Sequence, residues 1–199
     1  MDSLDARKLF AYHADAMAYV DVEDANGDRG LGSAFHVGDS VFVTARHVVE
    51  HKSIIEVKIT EPIEVPDYGS LKPPAENVQI PKRHYYNEPL HLSDGPFFST
   101  DDNLDIAAFR VDNLNPAAGV IKLGVHYDDW LERDYWQMSE AIVLGYPPIP
   151  MVNAPVLIGA KAEIHTYVKP RHSHYVHFIL STTPRGGFSG GVAIHENGS

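Results

Sequence analysis

The sequence contains no cysteine. That absence excludes disulfides, thiolate nucleophiles and zinc sites built on cysteine. No stretch approaches the ~18 consecutive apolar residues that a membrane-spanning helix needs. The opening residues Met1-Asp2-Ser3-Leu4-Asp5 have neither the basic segment nor the apolar run of a secretory leader. Basic residues are scarce: 16 Lys+Arg stand against 27 Asp+Glu, for a net charge of -11. Neither a nucleic-acid phosphate backbone nor an anionic membrane suits such a surface as main partner. Repeats, low-complexity tracts and coiled-coil heptads are also missing. What is present is 199 residues of 44% hydrophobic and 22% charged composition, ordinary for a globular chain. The length suits one large domain or two small fused barrels. The expectation is a soluble, cytoplasmic protein.

Residues 3–16 place apolar positions among good helix formers and predict a short N-terminal helix that leads into a strand at Met17–Val22. The turn cluster Asn26-Gly27-Asp28-Arg29-Gly30 closes a hairpin. Gly32–Val37 and Val41–Thr44 then read as the next pair of strands, and Thr44–Val49 as a strand end passing into a helical turn. Ser53–Thr60 alternates apolar and polar residues as a further strand. Residues 61–100 change character: they hold half of the chain's 14 prolines and the aromatics Tyr68, Tyr85, Tyr86, Phe97 and Phe98. We read them as a long connection whose aromatics pack it onto the barrel. Leu104–Val111 reads as a strand and Asn113–Ala118 as a linker. Beyond it come strands near Ile121–Gly124, Ala141–Gly145, Val156–Val168, Tyr175–Ser181 and Gly191–His195, with a helix over Asp128–Gln137. The prolines of Tyr146–Pro150 require a loop. Many short strands with little helix define an all-β chain, a barrel or sandwich.

Three segments place a polar residue among small neighbours at the end of an apolar strand: Thr44-Ala45-Arg46-His47, Leu104-Asp105-Ile106-Ala107 and Gly186-Gly187-Phe188-Ser189-Gly190-Gly191. The last lets the backbone turn sharply and presents a hydroxyl beside amides. A serine hydroxyl is a poor nucleophile until an imidazole removes its proton. The imidazole in turn needs a buried carboxylate to set its tautomer. Gly187-Phe188-Ser189-Gly190-Gly191 also satisfies the nucleophile elbow of α/β-hydrolases, but that fold places acid and histidine after the serine. Only His195 follows here, with no Asp, and strand–helix alternation is missing. Gly30-Leu31-Gly32 lacks the third glycine and the following helix of a phosphate loop. His165, His172, His174 and His177 show no third ligand with its supporting shell, so they read as a solvated hairpin tip rather than a metal site. His36 and His51 lack the Thr-Ala-x context of His47.

The order His, Asp, Ser, together with Gly32-Ser33-Ala34-Phe35, Val43-Thr44-Ala45-Arg46-His47, Asp105-Ile106-Ala107 and Gly187-Phe188-Ser189-Gly190-Gly191, resembles the trypsin-like serine peptidases of chymotrypsin fold. The likeness is greatest to bacterial HtrA-like, disulfide-free members. Gly145-Tyr146-Pro147 is similar to their Gly-x-Pro turn. The resemblance spans roughly residues 30–191, outside the 61–100 insertion. It implies a chymotrypsin-like double β-barrel of two six-stranded barrels with a short N-terminal helix. Residues 1–115 would form the helix and first barrel, and residues 116–199 a second barrel left incomplete at the C-terminus. It further implies His47 as general base, Asp105 as its orienting acid, Ser189 as nucleophile, and the Gly187 and Ser189 N–H groups as oxyanion hole. Thr183, Pro184, Arg185 and Gly186 would line the specificity pocket, with Thr183 at its floor giving no preference for Arg or Lys.

The resemblance implies a serine endopeptidase acting on protein or peptide substrates, with no cofactor and no metal. Two departures stand out. Phe188 replaces the Asp that pairs with a newly cut amino terminus in zymogen-activated members, so that switch is missing and Phe188 is expected to pack inward. The chain also stops after about one strand beyond the nucleophile, as a fragment of a longer protein or one completed by another chain would. The alternative is therefore a peptidase-like binding or regulatory module, inactive or latent without a partner or further domains.

Overall fold

A computed structural model describes residues 1–64, 88–123, 136–152, 154–171, 175–182 and 186–198. The N-terminal helix α1 (Ser3–Ala14) begins where the Asp2 carboxylate accepts the amides of Leu4 and Asp5, at 2.7 and 2.8 Å. This is an N-cap that satisfies otherwise orphaned donors. The helix stops two residues short of the expected end, and strand β1 (Met17–Asp24) follows.

Six strands form the first sheet: β1, β2 (Arg29–Gly38), β3 (Val41–Thr44), β4 (Lys52–Ile59), β5 (Leu92–Phe98) and β6 (Ala107–Val111), in the order β4-β1-β2-β3-β6-β5. All the pairings are antiparallel. Just before β5, the Leu90 N–H donates to Val57 O of β4 at 2.7 Å. That bond brings the two ends of the sheet together and curls it around its own core. A one-turn helix, α2 (Arg46–Val49), joins β3 to β4.

The second sheet has four described strands in the order β10-β7-β8-β9. They are β7 (Glu140–Gly145), β8 (Ile158–Val168), β9 (His177–Leu180) and β10 (Val192–His195). With α1 and the first sheet they make the chymotrypsin-like double-barrel architecture expected, the second barrel being incomplete in the described residues.

Strand β1 connects the two interiors. Successive side chains on a strand point to opposite faces. Ala18, Val20 and Val22 enter the first core with Phe42 and Phe109, while Met17 and Tyr19 enter a second with Leu144, Tyr146 and Ile194. Leu9, Phe10 and Ala14 of α1 also pack on that second core, so the helix rests on the later half of the chain although it precedes the first barrel.

Three sequence expectations are corrected. Residues 92–98, read as part of a connection, form β5, an edge strand where Pro96 can sit without a ladder donor. Phe97 and Phe98 of that strand are exposed rather than packed in. Leu104–Ile106 are not strand: the Leu104 N–H donates to Asp101 O at 3.0 Å and the Asn103 N–H to Asp101 Oδ1 at 2.9 Å, so a turn holds them out of the ladder. Residues 121–123 are also non-strand. The Ile121 N–H donates to His36 O at 2.8 Å, while its side chain joins the second core. Gly124 and most of the expected helix near 128–137 lie outside the described residues.

Candidate active site

His47 is the second residue of α2, which Ala45 alone separates from the end of β3, and its orientation follows from Asp105. The Asp105 carboxylate accepts the His47 backbone N–H on Oδ1 at 2.9 Å and meets ring Nδ1 with Oδ2 at 2.5 Å. An ionised carboxylate can only accept, so Nδ1 carries the proton and Nε2 keeps its lone pair. That is the tautomer a general base needs. The turn carrying Asp105 is fastened from the same helix. Arg46 pairs with Glu50 and Asp102, at 2.7 and 2.9 Å, and its guanidinium lies 5.5 Å from the Phe98 ring centroid. Lys52 Nζ donates to His47 O at 2.9 Å. The carboxylate was expected to be buried. Instead the His47 and Asp105 side chains are 58% and 56% exposed, because the turn at 99–106 lies outside the sheet.

Ser189 sits in a turn clamped between the two halves of the chain. Gly187 has φ +94°, a left-handed conformation open to glycine. A Cβ there would meet Pro148 Cδ and come within 2.7 Å of Pro147 Cα and Tyr146 O, so the Gly-Tyr-Pro-Pro loop is the backing of the turn. Gly190 has φ +80°, and its missing Cβ leaves room for Ser33 O, Thr44 Oγ1 and, at 2.9 Å, Ala45 N. The residue after the serine therefore lies against the end of β3, three residues before His47. Among the described residues no acceptor takes the N–H of Gly187 or Ser189, and no hydrogen bond joins the Ser189 hydroxyl to His47. Phe188 is half-buried, with its ring against Gly145 of β7, as its apolar character led us to expect.

Ser33 and Thr44 take part in the site in ways the sequence reading did not assign. Ser33 is fully buried. Its N–H donates to Ser189 O at 2.9 Å, its hydroxyl donates to Gly187 O at 2.8 Å, and it accepts the Tyr146 N–H at 2.8 Å. Thr44 Oγ1 donates to Ser33 O at 2.6 Å. The available signal was a serine between Leu31 and Phe35 on the face of β2 that packs against the second core.

The other candidates fall elsewhere. His36 is buried with Nδ1 2.7 Å from Gly119 O and its ring stacked on Phe42, while His51 is largely exposed beside Glu50. Thr183, Pro184 and Arg185 lie outside the described residues. Gly186 is exposed, with nothing within 4 Å of where a Cβ would stand. His172 and His174 are likewise outside the described residues. His177 lies on β9 opposite Val168, and His165 Nε2 is 3.7 Å from Glu163. No group of three metal-ligating side chains occurs among the described residues.

Two curled antiparallel sheets, with His47 and Asp105 beside the first and Ser189 just before β10 of the second, form a chymotrypsin-like double-barrel architecture. Solved structures agree. Rv3671c from M. tuberculosis H37Rv, in an inactive form, superposes with a TM-score of 0.61 at 14% identity, over 99% of this chain and 80% of that one. The HtrA-type protease AlgW with a tripeptide gives a TM-score of 0.58 at 13% identity over 96% of this chain and 50% of that one. The serine endoprotease of Yersinia pestis gives 0.56 at 13% identity over 97% and 54%. No protein-family model and no curated protein sequence matches the chain.

Proposed function

We propose that this chain is a serine endopeptidase that cleaves peptide bonds through an acyl-enzyme. The observation that carries the proposal is the doubly hydrogen-bonded His47–Asp105 pair, at 2.5 and 2.9 Å, just past the end of β3 against which the Ser189 turn packs. In the first step His47 Nε2 takes the Ser189 hydroxyl proton as Oγ forms a bond to the scissile carbonyl carbon, and the carbonyl π electrons move onto oxygen. The Gly187 and Ser189 N–H groups face that developing charge. Such donors are each worth about 3–4 kcal/mol in the transition state. The tetrahedral adduct collapses by breaking the C–N bond, and His47 gives its proton to the leaving amine. Water, deprotonated by His47, then attacks the ester carbonyl; the bond from the acyl carbon to Ser189 Oγ breaks, His47 returns its proton to Oγ, and the acid is released. The substrate is a protein or peptide chain, and Thr183, Pro184, Arg185 and Gly186 are proposed to line the pocket for the residue before the cleaved bond.

A fluorophosphonate probe tests this directly, since it requires an activated serine. Covalent labelling mapped to Ser189 supports the enzyme. A folded protein that stays unlabelled supports the second reading, a peptidase-like module that holds a partner without turnover. That second reading draws on the exposure of the His47–Asp105 pair and on the absence, among the described residues, of a Ser189–His47 hydrogen bond.

A further inference from the structure

Ser33 joins three parts of the site that are far apart in sequence. Its hydroxyl has one proton and two lone pairs. The Tyr146 N–H occupies a lone pair, and the proton goes to Gly187 O, both at 2.8 Å. Its backbone N–H holds Ser189 O at 2.9 Å, and its own carbonyl receives Thr44 Oγ1 at 2.6 Å from the strand that leads to His47. The carbonyls of Gly187 and Ser189 are thus both anchored on one residue with no solvent exposure. The peptide that carries the Ser189 N–H lies between those two anchored peptides. Gly187 has a left-handed φ of +94°, in a region where a glycine backbone has wide conformational freedom, so its own local preference does little to set the direction of its carbonyl.

We infer that the Ser33 hydroxyl is a positioning residue for the oxyanion turn. It fixes the direction of the Gly187 carbonyl, and through it the aim of the Gly187 and Ser189 N–H groups, while the Ser33 backbone fixes Ser189. The inference rests on the peptidase reading and adds to it a residue that never touches substrate. Replacing the hydroxyl removes the hold on Gly187 but leaves the Ser33 N–H bond to Ser189, so the two functions of this residue can be separated.

The test compares fluorophosphonate labelling kinetics of the wild type with Ser33→Ala and with Ser139→Ala. Ser139 is a buried control just before β7, at the end of that strand opposite Gly145, and its hydroxyl donates to Trp136 O. The Ser33→Ala variant is expected to lose about tenfold or more in its maximal labelling rate, short of the ~10²–10³ that follows outright removal of an oxyanion donor. Its probe-binding constant should stay put. Ser139→Ala should lower the melting temperature yet label, per folded molecule, within about twofold of wild type, as a separate site does. If Ser33→Ala does not fold, Ser33→Cys, near in size and a weak donor, is judged by the same criteria. Equal rates in Ser33→Ala and wild type overturn the role, as does a loss shared by Ser139→Ala, which marks a stability effect only. A wild type that does not label Ser189 overturns the peptidase reading and the role with it.

Discussion

Asp105→Asn tests the site with little disturbance to the fold. The carboxylate takes two donors from one residue, the His47 amide on Oδ1 at 2.9 Å and ring Nδ1 on Oδ2 at 2.5 Å. An asparagine offers one acceptor oxygen and one NH2 donor. With its oxygen kept on the His47 amide, its NH2 faces Nδ1, which must then give up its proton to Nε2. A protonated neutral Nε2 cannot accept the Ser189 proton. With the side chain flipped, two donors oppose each other at the backbone. No arrangement keeps both bonds and a basic Nε2. In triad hydrolases the wrong tautomer costs about 10⁴-fold in kcat, equivalent to about 5.4 kcal/mol of barrier. Stability should hardly change, because the two side chains are 58% and 56% exposed. An exposed pair contributes about 0–1 kcal/mol, or a melting shift within about 4 °C for a chain of this size. Fluorophosphonate labelling rates and thermal denaturation, measured on the same samples, separate the two effects. A labelling rate within about tenfold of wild type would refute the assigned tautomer. A large melting shift would refute the claim that this pair orients rather than stabilises.

Ser189→Ala should abolish labelling and lower kcat by roughly a millionfold with an unchanged melting curve, since its hydroxyl has no described partner to lose; residual labelling elsewhere would identify a different nucleophile. In Gly190→Ala a Cβ at φ +80° collides with Ser33 O and Thr44 Oγ1. The left-handed strain of about 1–2 kcal/mol and the lost Ser33–Ser189 bond of about 1 kcal/mol predict a melting point lower by roughly 4–12 °C. Wild-type melting in that variant would show that the turn is not clamped there. His13 and His195 are buried, and burial holds both imidazoles below their ordinary value. The folded chain takes up these protons at lower pH than the unfolded chain, which does so near pH 6.5, so stability is present above about that pH and is lost as pH falls below it. Asp15, whose carboxyl burial raises, acts in the opposite sense at lower pH, nearer the carboxylate range. Melting temperature should therefore decline on acidification from about pH 7.5 to 5.5, with a smaller decline in His13→Gln, and a flat wild-type profile over that range would contradict it.

The strand pattern was legible where alternation decides it. Val41–Thr44 matches β3 residue for residue, and β1, β7, β8 and β10 begin within two residues of their expected positions. These strands have one or two buried faces, so a two-residue period is written into them. β5 was not legible. It is an edge strand with mostly exposed side chains and a proline, and nothing in its own composition demands pairing. Its partner, the inward-facing β6, supplies the demand. Leu104–Ile106 failed for the opposite reason: their apolar residues match a strand, but hydrogen bonds to Asp101 hold them in a turn.

By itself the sequence determined which chemical groups are available and in what order they occur. His47, Asp105 and Ser189 stand beside small residues, glycines occur where the backbone must turn, and no cysteine offers another nucleophile. These are local properties, set by side-chain chemistry and by the φ values each residue tolerates. Only the tertiary structure decided what those groups face. Ser33 and Gly187 are separated by 154 positions, and no local rule relates them. Their hydrogen bond exists because β2 and the exit of β7 meet at the Ser189 turn. The same is true of the exposure of His47 and Asp105. A carboxylate's type is written in the chain, but its solvation depends on what packs over it, and that is settled by the assembly of the two sheets.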